Sequence, residues 1–353
     1  MALFGKTVKQ SYLGIDIGAG SIKVVELMNE KGRAKLLTYG FAEHPVAKVG
    51  ESLLDKPEEA AALVKEICKR AKTSTVKVVS GLPVSSVFSS VVTVPVATGK
   101  ALSAVVELQA KKLIPMPLEE MILETTPMPD VSGDAKKANY SRLLLTGAAK
   151  TLVKKYIDVF KMSGLQLLSL ETEAFALIRS LIGRDRANVM IIDMGAMRTN
   201  IVVVQSGIPF LSRSLNLGGL ALSRAMAETM RVPLSQAEQM KIDAQAVAEI
   251  MPDVGLPKMF DSALTMLLNE IRYSSNLYAG QNETPRQIEK IILTGGAALF
   301  PRLADAIGAT IGIKTYVGDP WARVVYPLDL RPVLDQIGAR FSVAVGLAMR
   351  DIE

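Results

Sequence analysis

Leu13-Gly14-Ile15-Asp16-Ile17-Gly18-Ala19-Gly20-Ser21-Ile22-Lys23 returns, altered, about half the chain later as Ile191-Ile192-Asp193-Met194-Gly195-Ala196-Met197-Arg198-Thr199-Asn200. Each copy is an apolar run, then Asp-x-Gly, then small or polar residues, then a second apolar run, Val24-Val25 or Ile201 to Val204. That pattern predicts a hairpin of two buried strands whose tight turn leaves backbone amides open. One such turn fits any acidic hairpin. Two, one at the start of each half, predict a bilobal α/β protein that holds a nucleotide's phosphates between facing turns. Each turn then brings a carboxylate for a metal ion. Two unrelated acidic hairpins are the competing reading.

Composition narrows the remaining classes. A chain of 353 residues has room for two lobes with a core each. No apolar run approaches the ~18–20 residues that span a bilayer, and Met1 to Gln10 lacks the apolar segment of a signal peptide. A cytoplasmic protein is expected. The single cysteine, Cys68, excludes an internal disulfide and a cysteine metal cluster. Its helically spaced apolar neighbours, Ala60 to Ile67, mark it as a buried structural thiol. One histidine, His44, leaves a zinc site or a His-centred triad little to build on. The net charge of +6 is spread among Glu and Asp with few aromatics, which argues against nucleic acid. Leu3 and Phe4 ahead of Lys6 and Lys9 are a weak cue for an anionic membrane surface, set against a floppy terminus.

Periodicity places strands at 11–28 and 34–42, a helix over 57–72 and a strand over 76–82. Between 84 and 170 come a strand (87–94), a helix (101–114) stopped by Pro115 and Pro117, and strands at 121–126 and 141–148 around a lysine-bearing loop, 130–139. A helix over 152–163 ends at Gly164, and a strand follows at 165–170. The order β-α-β-β-α-β predicts a split-βαβ unit inserted in the first lobe. The second lobe runs through strands from Val189 to about Arg213, then helices over 218–279. Strand 290–293 ends in Thr294-Gly295-Gly296-Ala297-Ala298, and a last helix is expected over 341–350.

The candidate chemistry is largely backbone chemistry. Gly18, Ala19, Gly20 and Ser21 put little side chain on their turn, so a phosphate can approach several N–H donors. Gly195, Ala196 and Thr199 do the same from the other lobe, Thr199 adding a hydroxyl. Asp16 and Asp193 are the magnesium candidates, through water if need be, because magnesium keeps much of its hydration. Lys23, which closes the first motif, and Gly218, in Leu217-Gly218-Gly219 after the second, join the nucleotide-binding candidates. Gly295, Gly296 and Ala297 permit close approach of a base or an α-phosphate.

These signals resemble the actin-like ATPase superfamily, which has a duplicated ribonuclease H-like fold. Its five motifs occur in order as Asp16 to Ser21, Glu173-Ala174-Phe175-Ala176-Leu177, Asp193 to Ala196, Leu293 to Ala297 and Val343-Ala344-Val345-Gly346-Leu347. Within it the chain is similar to the PilM family of type IV pilus assembly, a relative of FtsA. The likeness rests on Met1-Ala2-Leu3-Phe4-Gly5-Lys6 ahead of the first motif, Leu113-Ile114-Pro115-Met116-Pro117-Leu118-Glu119-Glu120, Leu217-Gly218-Gly219 and Glu270-Ile271-Arg272-Tyr273-Ser274. It implies subdomain 1A at 1–83 and 171–188, an inserted βαββαβ 1C at 84–170, 2A at 189–215 and 280–340, and 2B at 216–279. A helix in 341–353 then returns to 1A.

The resemblance also implies ATP and Mg2+ as cofactors, with weak hydrolysis at most. Glu238 and Lys241, three apart on one helix face, match the pair that holds base and ribose, although a solvated ion pair explains them equally. Glu173 matches the residue that orients the attacking water, although a helix-start carboxylate explains it too. The implied partner is the N-terminal cytoplasmic segment of a PilN-like membrane protein, clamped between 1A and 1C at the inner membrane. Pilus assembly ATPases and other platform proteins are further candidate partners. An FtsA-like cell-division adaptor is the alternative; such chains carry an amphipathic tail helix, whereas this sequence stops at Asp351-Ile352-Glu353. A small-molecule kinase of the superfamily is the third reading, without a recognisable acceptor site in 84–170.

Overall fold

The computed structural model describes residues 10–129, 140–243, 258–281 and 286–352. The N-terminal motif with its membrane cue, the loop at 130–139 and part of the 216–279 stretch therefore lie outside the described residues.

The first lobe is built on a meander. β1 (Ser11–Ile17), β2 (Ser21–Glu30) and β3 (Arg33–Glu43) pair antiparallel, and β4 (Lys77–Leu82) runs parallel beside β1. β1 is a nearly unbroken apolar run because both its faces are covered. Leu13, Ile15 and Ile17 meet α1 (Pro57–Ala71) and α3 (Lys150–Ser163) in one core that also holds Cys68. The thiol is buried, as expected, and burial pushes its pKa up. On the other face Tyr12, Val25 and Leu27 meet α9 (Arg331–Ala348). Gly14 makes that seat possible: a Cβ there would stand 2.0 Å from the Ala344 carbonyl oxygen.

The second lobe repeats the plan. β9 (Val189–Met194), β10 (Thr199–Gln205) and β11 (Ile208–Leu215) form an antiparallel meander, and β12 (Lys290–Thr294) lies parallel beside β9. β13 (Thr315–Val317) closes the sheet order β11-β10-β9-β12-β13. Its outer face carries α5 (Gly219–Met230), α6 (Leu234–Ile242), α7 (Asp261–Gly280) and α8 (Leu303–Ile311). Between the two sheets lie α4 (Glu173–Leu181) and α9, which share a core with Val79 of β4 and Ile191 of β9. The two helices touch where Gly346 meets the Ala176 carbonyl, at 1.9 Å from a would-be Cβ.

Three boundaries differ from those expected. The elements after β4 do follow the order β-α-β-β-α-β, but the inserted sheet has three strands, in the order β5-β7-β6. These are β5 (Val87–Pro95), β6 (Met121–Pro127) and β7 (Tyr140–Ala149), packed on α2 (Gly99–Leu113). The sixth element, β8 (Gln166–Thr172), pairs parallel with β4 in the first lobe. α3 joins that lobe too, because Tyr156, Val159 and Phe160 complete the core over β1. The insertion thus ends near 149 rather than 170. At the other end, β14 (Val324–Val325) pairs with β3, and Trp321 is buried in the core beneath α9. The chain is back in the first lobe well before 341. The last helix starts ten residues earlier than periodicity suggested, because Pro332 supplies a preformed first turn.

Candidate functional site

The first turn is closed by its own backbone. The Gly18 N–H donates to the Ser21 carbonyl at 3.0 Å, just beyond the last ladder pair, Ile17 and Ile22. Asp16 lies directly across the ladder from Lys23, whose Nζ donates to Oδ2 at 2.9 Å. Both side chains are about one-tenth exposed, at 10% and 13%. Lys23, a nucleotide-binding candidate, is thus first of all the counter-charge of Asp16.

The second turn copies the first. The Gly195 N–H donates to the Arg198 carbonyl at 2.9 Å, and Asp193 lies across the ladder from Asn200. With Gly18 and Gly195 spent on turn closure, the amides that each loop could offer a ligand are those that follow, from Ala19 and Gly20 and from Ala196 and Met197. Gly218 holds the second loop from behind, since a Cβ there would stand 2.5 Å from the Ala196 carbonyl oxygen. The Gly219 and Leu220 amides at the start of α5 donate to the Gly195 and Ala196 carbonyls, both at 2.9 Å. Thr199 departs from expectation. Its hydroxyl is fully buried and donates to the Leu217 carbonyl at 2.6 Å, so it braces the loop instead of reaching for a phosphate.

The two turns meet. A Cβ on Gly20 would lie 2.6 Å from the Ala196 Cβ, so only glycine permits this contact between lobes. Behind it Glu173, the first residue of α4, accepts the Val84 N–H at 3.3 Å. Burial pushes its carboxyl up to about 8, helped by the negative charges of Asp16 and Asp193 and opposed by Val84 and Lys23. Asp193 is pushed up to about 6, by burial first and then by Asp16, against the pull of Lys23 and a hydrogen bond from Asn200. Three carboxylates therefore share one ammonium. Among the described residues no three His, Cys, Asp or Glu side chains are spaced to hold a metal directly. A hydrated cation still suits this set, because it would supply the missing positive charge through its water.

The remaining candidates surround the same cleft. Gly295, at φ +85°, lies against β9, where a Cβ would stand 2.6 Å from Asp193 Oδ1. Gly296 faces the stem of Arg340, and Ala297 is buried beside Gly219. Lys241 Nζ donates to the Gly219 carbonyl (3.0 Å), Ser223 Oγ (2.8 Å) and Glu238 Oε2 (2.8 Å). Its side chain is only 10% exposed, and burial lowers its pKa despite Glu238. Glu238 and Lys241 are thus a half-buried tie between α6 and the start of α5 rather than a fully solvated helical pair.

Four contributors were not found from sequence. Arg340 on α9 pairs with Glu43 at the end of β3 and stacks over Phe41, and the charges of Arg340 and Glu43 reach Lys241. The His44 N–H donates to the Gly20 carbonyl at 2.9 Å. Val84 caps Glu173. Arg340 and Glu43 are almost three hundred residues apart, and no local pattern couples them.

Residues 14–352 match the family described as type IV pilus assembly protein PilM. The chain belongs to that family. Its fold is actin-like. It superposes on the PilM-PilN type IV pilus biogenesis complex with a TM-score of 0.82 at 24% identity, covering 97% of this chain and 98% of that one. The ethanolamine utilization protein EutJ from Carboxydothermus hydrogenoformans follows at TM-score 0.58 and 16% identity, over 98% and 91% of the two chains. MreB5 of Spiroplasma citri bound to ADP gives 0.50 and 12%, over 96% and 94%. In sequence, the cell division protein FtsA of Borreliella burgdorferi is 25% identical over 180 residues, 46% of this PilM-family chain. The match spans only 42% of that curated relative's length.

Proposed function

We propose that this PilM-family chain is an ATP-binding, actin-like scaffold of the type IV pilus inner-membrane assembly platform. The observation that carries the proposal is the contact of the two Asp-x-Gly turns at Gly20 and Ala196, with Asp16, Asp193 and Glu173 gathered around it. The amides of Ala19, Gly20, Ala196 and Met197 would hold the phosphates, with Ser21 and Gly195 shaping the loops. Asp16 and Asp193 would hold Mg2+ through its water. The cation would supply charge that lets both phosphates and carboxylates share the cleft. Glu238, Lys241 and Gly295 to Ala297 would flank ribose and base. Glu173 would orient a water in this reading, but a carboxyl that burial pushes up to about 8 makes a poor base. Weak hydrolysis at most follows, which suits a scaffold better than a motor.

The partner in this reading is the N-terminal segment of a PilN-like membrane protein, docked between the first lobe and the insertion. A solved relative is a PilM-PilN complex. The insertion also touches the second lobe: Met128 and Leu144 enter that lobe's core, and Arg142 lies 5.3 Å over the Phe210 ring on β11. A nucleotide that fixes the angle between lobes therefore also fixes the insertion, and shifts the population of docking-competent grooves by its differential affinity. Among the described residues no helix is long and apolar enough to cross a membrane. Membrane association would then come through the partner, on the cytoplasmic side. The FtsA likeness covers less than half of the chain, whereas the PilM match covers 14–352, so the adaptor reading ranks second.

Thermal unfolding with and without Mg-ATP tests the first step. At a hundred times its dissociation constant the ligand should add about 2.7 kcal/mol of stability. Titration of PilN-like N-terminal peptides with and without nucleotide tests the second. No stabilisation by millimolar Mg-ATP, or peptide binding indifferent to nucleotide, would overturn the proposal.

A further inference from the structure

Tyr156 on α3 is fully buried in the core over β1, beside Ile15 and Ile17, which flank Asp16, and Leu82, which precedes the Val84 turn. Among the described residues its hydroxyl has no hydrogen-bond partner. An unmet buried hydroxyl carries a desolvation cost, and phenylalanine would fill the same space without it. Folding alone thus favours Phe here, and a buried donor with no protein acceptor calls for an explanation. Its surroundings suggest one: the charged groups that bear on the hydroxyl are Glu173, from the start of α4, and Asp16, from the end of β1.

We propose that Tyr156 is a positioning residue of the loaded cleft, its hydroxyl donating to the water layer that joins Glu173 and Asp16 to a bound magnesium-triphosphate. The inference rests on the Mg-ATP reading above and adds a donor that none of the nucleotide motifs contains. The location of the donor matters as well. α3 follows β7 without a linker, Ala149 being the last residue of the strand and Lys150 the first of the helix. About two turns of helix separate the inserted sheet from the hydroxyl. The element that leaves the insertion is therefore the one that senses the water beneath the metal.

The test uses Tyr156→Phe in the full chain, with thermal unfolding of the free protein and titration of ATP in Mg2+ and in EDTA. The free variant should melt at or above the wild-type temperature. Its Kd for Mg-ATP should rise about tenfold, while its Kd for ATP in EDTA stays at the wild-type value. Unchanged affinity in both buffers would overturn the inference, as would an equal loss in both, which would mean that packing alone is disturbed. A free variant that melts well below wild type would also overturn it, by showing that the hydroxyl has a partner in the empty protein. Failure of wild-type protein to bind Mg-ATP would instead strike the functional reading, which keeps the two failures apart.

Discussion

Lys23 and Asn200 occupy the same place in the two hairpins, each directly across the ladder from the aspartate of its motif. The first aspartate therefore has an ammonium at 2.9 Å, while the second has only an amide. The duplication is symmetric in backbone and asymmetric in charge, and Asp193, without an ammonium of its own, is pushed up to about 6.

Lys23→Asn should make the first hairpin like the second. Removing one partner of a buried pair leaves an uncompensated charge and typically costs about 3–5 kcal/mol. We expect the lower end of that range, because both groups retain slight exposure. Urea unfolding at pH 7 measures it, and a loss below half a kcal/mol would show that Asp16 is served by solvent.

Stability of the empty protein should fall as pH rises. Glu173 and Asp193 both have folded-state pKa values above their unfolded ones, about 8 against 4.5 and about 6 against 3.8. The folded state then binds more protons than the unfolded state between those values, so unfolding becomes easier with increasing pH. The contribution is present below pH 4 and is lost by about pH 8. Glu173→Gln should flatten the upper part of this profile and stabilise the free protein at pH 8. Stabilisation by Mg-ATP should grow over the same window, as the cation meets carboxylates that want to ionise. A flat profile in calorimetric melts from pH 5 to 8 would contradict both expectations.

Gly346→Ala sets two effects of opposite sign against each other. Alanine gains up to about 1 kcal/mol over glycine within an exposed helix. At Gly346 the added methyl would strike the Ala176 carbonyl at 1.9 Å, and overpacking of this kind costs about 1–3 kcal/mol or more. Net destabilisation is expected, with α9 pushed off α4. Gly280→Ala is the control, since a Cβ there meets nothing within 4 Å, and it should be neutral or slightly stabilising. Chemical denaturation of the pair decides the matter.

Lys241→Met should loosen α6 from α5. Methionine keeps the aliphatic stem but drops hydrogen bonds to Gly219, Ser223 and Glu238, and bonds to a charged group are worth about 1.5–3 kcal/mol each. Because the Gly219 amide also holds the second turn, Mg-ATP affinity should fall about tenfold, equivalent to 1.4 kcal/mol. Isothermal titration reads this directly. Wild-type affinity in the variant would place the nucleotide away from this helix.

Much of this was legible in sequence because hairpins and their turns are local. Asp16 to Lys23 and Asp193 to Asn200 encode their strands, register and turn within a dozen residues, so facing loops could be read from pattern alone. The extent of the insertion could not. β8 has the same apolar run whether it pairs with β7 or β4, and only the packing of Tyr156 and Phe160 on β1 decides between them. The hydroxyl of Thr199 misled for a similar reason, since residue type says nothing about whether Leu217 will take the proton first. Arg340 and Glu43 were invisible because their contact exists only once α9 crosses the first sheet.

Val87 and Ala148, the first residue of the inserted sheet and almost its last, are paired across neighbouring strands. Entry and exit are thus side by side, like the two wires of a plug. A lineage could vary the parts of the module that, unlike Met128 and Leu144, do not enter the second lobe's core, without moving the strands that frame it. Variation in partner choice can therefore accumulate in one module without touching the two Asp-x-Gly turns.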